Sequence, residues 1–281
     1  MQNLKKINNS FKIGLDDRSK YLRRLVLRGL RNSKRGHLGS SFSMIEILRV
    51  LYDNIMHYNI KNPLSKNRDR LVVSPGWASL PLYAILADKG FIKKSELDYF
   101  MDLNSKLGGC IERGVKGVEA TTGSCGHGLP IAVGIAKALK LSKSNQKVFV
   151  ILGDGEHGEG TIWEAAISIA KNKLDNLIIL VDNNKIQCSG SIKEISSIEN
   201  FSAKWNSFGL NAIEINGHDI SELKKTLKNI PIKKNYASVI ICHTVMCKGI
   251  KKYENSPDYH WKGGFSDQEL FSLEKSLEDY K

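Results

Sequence analysis

Apolar positions along the chain follow two spacings. In residues 17–33 (DRSKYLRRLVLRGLRNS) and 43–55 (SMIEILRVLYDNI) they recur at helical intervals, with Ser43 a candidate N-cap for the second segment. The same spacing predicts helices over 80–90, closed by Gly90, and over 93–103, 128–143, 161–172, 221–230 and 266–280. Short apolar runs at 68–74, 148–154, 176–184, 212–217 and 237–245 predict strands. Strands that are apolar throughout, separated by helices, imply a parallel twisted sheet covered on both faces. The expected fold class is therefore α/β, in one domain over residues 1–281.

Composition narrows the class. The 281 residues are 41% hydrophobic and 25% charged, ordinary for a globular enzyme with a sizeable core. No apolar run approaches the ~18–20 residues that span a bilayer. The opening MQNLKKINNSFKIGLDDRSK lacks the apolar stretch of a signal peptide, so the expectation is a cytoplasmic protein without a membrane role. Cys110, Cys125, Cys188, Cys242 and Cys247 show no metal-finger spacing and read as reduced, mostly buried thiols. The net charge of +13 would attract anions, but the lysines are dispersed and no nucleic-acid signature interleaves them, so no nucleic-acid partner is expected.

The chemistry concentrates at residues 148–166, VFVILGDGEHGEGTIWEAA. A β-branched run ends in a glycine loop, and a helix pattern follows. Gly153, Gly155 and Gly158 satisfy the spacing of a dinucleotide-binding turn, with Asp182 ending the next strand as a possible ribose ligand. That makes an NAD oxidoreductase the first rival. The loop, however, carries Asp154, Glu156 and Glu159. Two like charges ~4 Å apart repel by about 4 kcal/mol at an effective dielectric of ~20. Such a loop holds a diphosphate only with a divalent cation between them, and Mg²⁺ is commonly shared between carboxylates and phosphates. Asn184, 30 residues beyond Asp154, ends the next predicted strand and offers a neutral oxygen; the Ile186 carbonyl is a third candidate. Alone, the Asn183–Asn184 pair would be read as a turn.

GDGE followed 30 residues later by Asn resembles the thiamine diphosphate-binding motif, and the surrounding sequence resembles the N-terminal, diphosphate-binding part of transketolase. GHLGSSFS (36–43), RDRLVVSPGWAS (68–79), TTGSCGHG (121–128), GDGEHGEGTIWEAA (153–166), KLDNLIILVDNN (173–184), NGHDI (216–220) and ENSPDYHWK (254–262) carry the resemblance along almost the whole chain.

The resemblance implies that Asp154, Asn184 and the Ile186 carbonyl hold Mg²⁺ or Ca²⁺ against the diphosphate. Gly155 would place its N–H on a phosphate oxygen. Gly123 and Cys125 would approach the aminopyrimidine, and Gly153, Glu156 and Trp77 would also meet the cofactor. His37 would contact the reacting sugar, and His260 would stand near the diphosphate and the substrate entrance. Glu159 would couple two active sites at a dimer interface. His127, His157, His218 and His243 read more simply as structural residues. Two positions depart from the family: SPGWA puts Trp77 where a histidine is usual, and GCI puts Cys110 and Ile111 where His-Pro is usual.

The expected reaction moves a two-carbon ketol unit from a ketose or ketose phosphate to an aldehyde. The two departures leave open a related enzyme using a 2-oxo acid or a nucleotide-linked keto-sugar, and a non-catalytic regulatory subunit is a further alternative. The sequence ends at EKSLEDYK with no pyrimidine-binding domain. The expectation is that a C-terminal transketolase subunit supplies that domain and its catalytic glutamate, in an α2β2 heterotetramer.

Overall fold

The computed structural model describes residues 9–188 and 190–281; residues 1–8 of the basic opening stretch lie outside the described residues. Five strands form one parallel sheet: β1 (Arg70–Val73), β2 (Val148–Gly153), β3 (Leu177–Asn183), β4 (Asn211–Asn216) and β5 (Ser238–His243), in the order β1-β2-β3-β5-β4. All four pairings are parallel.

Side-chain alternation splits the strands between two cores. Phe149, Ile151, Ile178, Leu180 and Ile240 face one side. There they meet helices α1 (Asp17–Ser33), α3 (Ile45–Val50), α4 (Ser79–Lys89), α8 (Ile220–Lys228) and α9 (Asp267–Glu278). Val148, Val150, Leu152, Ile179 and Val181 face the other, against α5 (Gly128–Leu141), α6 (Gly160–Lys171) and α7 (Phe201–Ser207). Both faces are covered, which is why these strands are apolar at every position. No helix among the described residues is long and apolar enough to cross a membrane.

Local chemistry sets the helix ends. Asp16 caps α1 through Ser19 N–H (2.9 Å), and Asp219 caps α8 through Ser221 and Glu222 N–H (2.9 and 3.0 Å). Gly90 ends α4 in the left-handed conformation (φ 83°), as expected from the sequence.

Three expectations need correction. The helix expected over 43–55 is interrupted. Residues Leu38–Ser43 form a separate short helix, α2, and Met44 breaks the chain before α3, which runs on into a π-helical turn at Leu51–Ile55. Ser43 caps nothing, because its hydroxyl is drawn to buried Asp182. The segment 93–103 is only a 3₁₀ helix, Lys94–Tyr99; Met101 turns left-handed (φ 62°) and donates its N–H to Leu107 O (2.8 Å). The thiols are not mostly buried: Cys242 and Cys247 are, Cys110 and Cys188 are exposed and Cys125 is half-buried, none of the five in a disulfide.

Residues 186–207, where the sequence pattern predicts no element, hold a two-residue hairpin (Ile186–Gln187 with Gly190–Ser191) and α7. A second small pairing joins Arg35–Gly36 antiparallel to Lys262–Gly263. It brings the loop after α1 against the segment before α9.

Candidate functional site

The site forms at the carboxyl ends of β2 and β3, where Gly153 and Asp182 lie side by side in register. Asp154 follows directly. Both its oxygens face backbone donors: Gly155 N–H on Oδ1 (2.8 Å) and Lys185 N–H on Oδ2 (2.6 Å). The Asn184 oxygen accepts from Ile186 N–H (3.0 Å), and its amide donates to Asp182 (3.2 Å). Each oxygen keeps a lone pair for a ligand.

Electrostatics here are unbalanced. Asp154 and Asp182 are 2% and 1% exposed. Burial, and then the neighbouring Asp182 carboxylate, pushes Asp154 above the usual carboxylate range. Burial pushes Asp182 up too, against the hydroxyls of Ser43 and Thr244. Burial also pulls the Lys185 ammonium down, and one ammonium faces two carboxylates. A divalent cation would restore the balance.

Trp77, Cys125, Gly153, Asp154 and Gly155 line one cavity of about 160 Å³ together with Glu156, Glu159, Asn184, Ile186 and His260. His37 opens onto a wider vestibule of about 600 Å³ that shares Trp77, Cys125 and His260 with it. Gly123 lines neither and lies behind the wall, against Cys110 and the close-packed Gly76.

Glu156 has a scaffolding position. It is 1% exposed, and its carboxylate accepts from Ser74 Oγ (2.6 Å), Gly126 N–H (2.8 Å) and Gly153 N–H (2.8 Å). Three loops are tied to one side chain. Glu159 is exposed at the start of α6, with no side-chain bond to the helix. His157 is structural: its Nε2 accepts from Trp205 Nε1–H (3.1 Å), so its Nδ1–H donates to the Asp154 carbonyl (3.0 Å). His218 is likewise fixed between Val245 N–H and Glu46, and His243 pairs with Glu214. His127 is exposed and meets only the Cys125 carbonyl through its ring.

At the mouth, the His37 and His260 rings meet edge-on at 5.8 Å. Burial, then His260, pulls His37 down to about 4, and burial lowers His260. Burial thus favours the neutral form of both imidazoles. The Nδ1 of His260 is buried without a hydrogen-bond partner, and so is the Ser40 hydroxyl on the cavity wall.

Two orphaned polar atoms, two buried carboxylates and an amide oxygen fit a polyanion held through a hard cation. Among the described residues no three His, Cys, Asp or Glu side chains cluster to hold a metal unaided, so such a cation needs ligand oxygens from the polyanion itself. The dinucleotide alternative fits poorly, because the loop of residues 154–158 coils into a 3₁₀ helix around buried acids.

Sequence reasoning did not single out Ser40, Lys185 or Gln187. Ser40 sits within GSSFS, where nothing in the pattern distinguishes it from Ser41 and Ser43.

Comparison with known proteins agrees with this geometry. The family model for the transketolase thiamine diphosphate binding domain matches residues 16–276. The chain is 38% identical to one of the subunits of the apulose-4-phosphate transketolase from Actinobacillus succinogenes, over 93% of this chain and 95% of that protein. It is 34% identical to the 6-deoxy-6-sulfo-D-fructose transketolase subunit SqwG of Clostridium sp. (strain MSTE9), over 92% and 97%. The solved transketolase from Leishmania mexicana superposes with a TM-score of 0.86 at 28% identity; the match covers 92% of this chain but only 40% of that one. The chain therefore belongs to the transketolase family, as a form of its thiamine diphosphate-binding domain.

Proposed function

We propose that this chain is the diphosphate-binding subunit of a two-chain transketolase. In this reading it transfers a two-carbon ketol unit from a ketose to an aldehyde, in the cytoplasm. The carrying observation is the cavity at the ends of β2 and β3, where buried Asp154, Asn184 and the Ile186 backbone stand beside the unpartnered Ser40 hydroxyl and His260 Nδ1. Asp154, Asn184 and the Ile186 carbonyl would hold Mg²⁺, and Gly155 N–H, Ser40 and His260 would meet the diphosphate. Thiamine diphosphate, when bound, supplies a carbanion at its thiazolium ring. The neutral imidazoles of His37 and His260 orient the sugar hydroxyls and accept or return their protons.

Several observations support a second chain. Two relatives that this chain matches nearly end to end are named as subunits, whereas it spans 40% of the solved Leishmania mexicana transketolase. Ile131 of α5 and Ile167 of α6 are exposed, on the same layer as exposed Glu159, as an assembly face would require. We infer an α2β2 heterotetramer whose partner brings the pyrimidine-binding domain and the catalytic glutamate. The relatives named for apulose phosphate and a sulfo-sugar favour a specialised ketose as donor.

The test is reconstitution. The chain and its partner, mixed with Mg²⁺ and thiamine diphosphate, should transfer ketol units, while neither turns over alone. Turnover by this chain alone overturns the divided site. Activity only with a 2-oxo acid or a nucleotide-linked keto-sugar would move the reaction to the alternative donor class.

A further inference from the structure

The vestibule outside the cofactor cavity is built unlike an anion site. Its lining includes two tryptophans, two histidines and Pro257; Asp258 is its one carboxylate, and no lysine or arginine contributes among the described residues. His37 stands at the centre. The Trp77 ring lies 6.4 Å from it at 46°, and the Trp261 ring 6.4 Å away at 69°. His260 closes a third side at 5.8 Å. Trp261 is 52% exposed, so core packing does not explain an indole there. Its ring edge sits over Gly263, where a Cβ would approach it to 3.1 Å.

Indole faces recognise C–H-rich surfaces through dispersion and the ring quadrupole, whereas a phosphate needs cationic donors. Both indoles pack around His37, so a sugar reaching from the cofactor cavity past His37 would meet them. We propose that Trp77 and Trp261 form an aromatic clamp that grips the C–H face of the sugar's carbon chain and thereby sets substrate specificity, leaving any anionic end of the sugar to the partner subunit. This rests on the transketolase reading and names the substrate contact made by this chain's half of the site.

The test uses the reconstituted two-chain enzyme with xylulose 5-phosphate, a ketose, as donor and either erythrose or erythrose 4-phosphate as acceptor. Trp261→Gly should raise KM for both acceptors by the same factor, about tenfold. Trp261→Phe, which keeps an aromatic face, should recover most of the loss. Erythrose should also perturb tryptophan fluorescence in the wild-type complex and do so less in Trp261→Gly. Assembly of each variant is checked by size-exclusion chromatography. Unchanged KM in Trp261→Gly, a loss confined to the phosphorylated acceptor, or a loss traced to failed assembly overturns the clamp. Absence of turnover by the wild-type complex with either acceptor overturns the transketolase reading itself, and the clamp with it.

Discussion

Asp154 and Asp182 end neighbouring strands as two buried carboxylates; burial first, and then the charge of Asp182, pushes the Asp154 carboxyl above its usual range. A stable fold gains nothing from such a pair in the absence of a cation. A cation bound between the two carboxylates would stabilise their charged forms.

Asp154→Asn removes one charge of the pair and keeps its shape. The variant alone should be at least as stable as the wild type. Adding Mg²⁺ and thiamine diphosphate should raise the wild-type Tm by several degrees and leave the variant's unchanged. Differential scanning calorimetry with and without the cofactor reads both effects. A full cofactor-induced shift in the variant would remove Asp154 from the metal site.

Ser40 offers a cleaner separation of binding from stability. Its hydroxyl is buried with no partner, so Ser40→Ala removes no intramolecular bond. The Tm should hold or rise slightly, while cofactor affinity falls roughly 3- to 10-fold, the value of one hydrogen bond. Isothermal titration measures the affinity. Equal binding by the variant would mean that the hydroxyl does not face the diphosphate.

Acid should destabilise the fold through histidines kept neutral inside it. Burial lowers the pKa of His157 to about 4. The unfolded chain then binds a proton that the folded chain refuses. Stability is thus fully present above the unfolded value of ~6.5 and is lost progressively as pH falls toward 4, by about 3 kcal/mol for this residue. Tm measured from pH 7 to 4 should fall less steeply in His157→Gln. An identical slope would place the acid sensitivity elsewhere.

Much of this was legible in the sequence, and the exceptions have physical reasons. The strands were readable because a sheet covered on both faces is apolar at every position, as from Val148 to Leu152. That Asp154 and Asn184 would lie together was readable from their places at the ends of neighbouring strands, and the structure brings both to one cavity. The scaffolding position of Glu156 was only partly so: Gly153 N–H lies three residues away, but its other two donors come from loops around residues 74 and 126, and only the folded chain brings these to it. Helix α7 was missed because its seven residues bury little beyond Phe201 and Trp205, too few for a helical period. The break at Met44 escaped notice because the apolar spacing continues across it while Ser43 is pulled toward Asp182.

The short pairing of Arg35–Gly36 with Lys262–Gly263 has a temporal consequence. A nascent polypeptide that has emerged only as far as β5 already possesses Asp154 and Asn184. It still lacks half of the doorway, since His37 waits for His260 to arrive from the last tenth of the chain. The vestibule is accordingly among the last parts of this protein to be completed during its own synthesis.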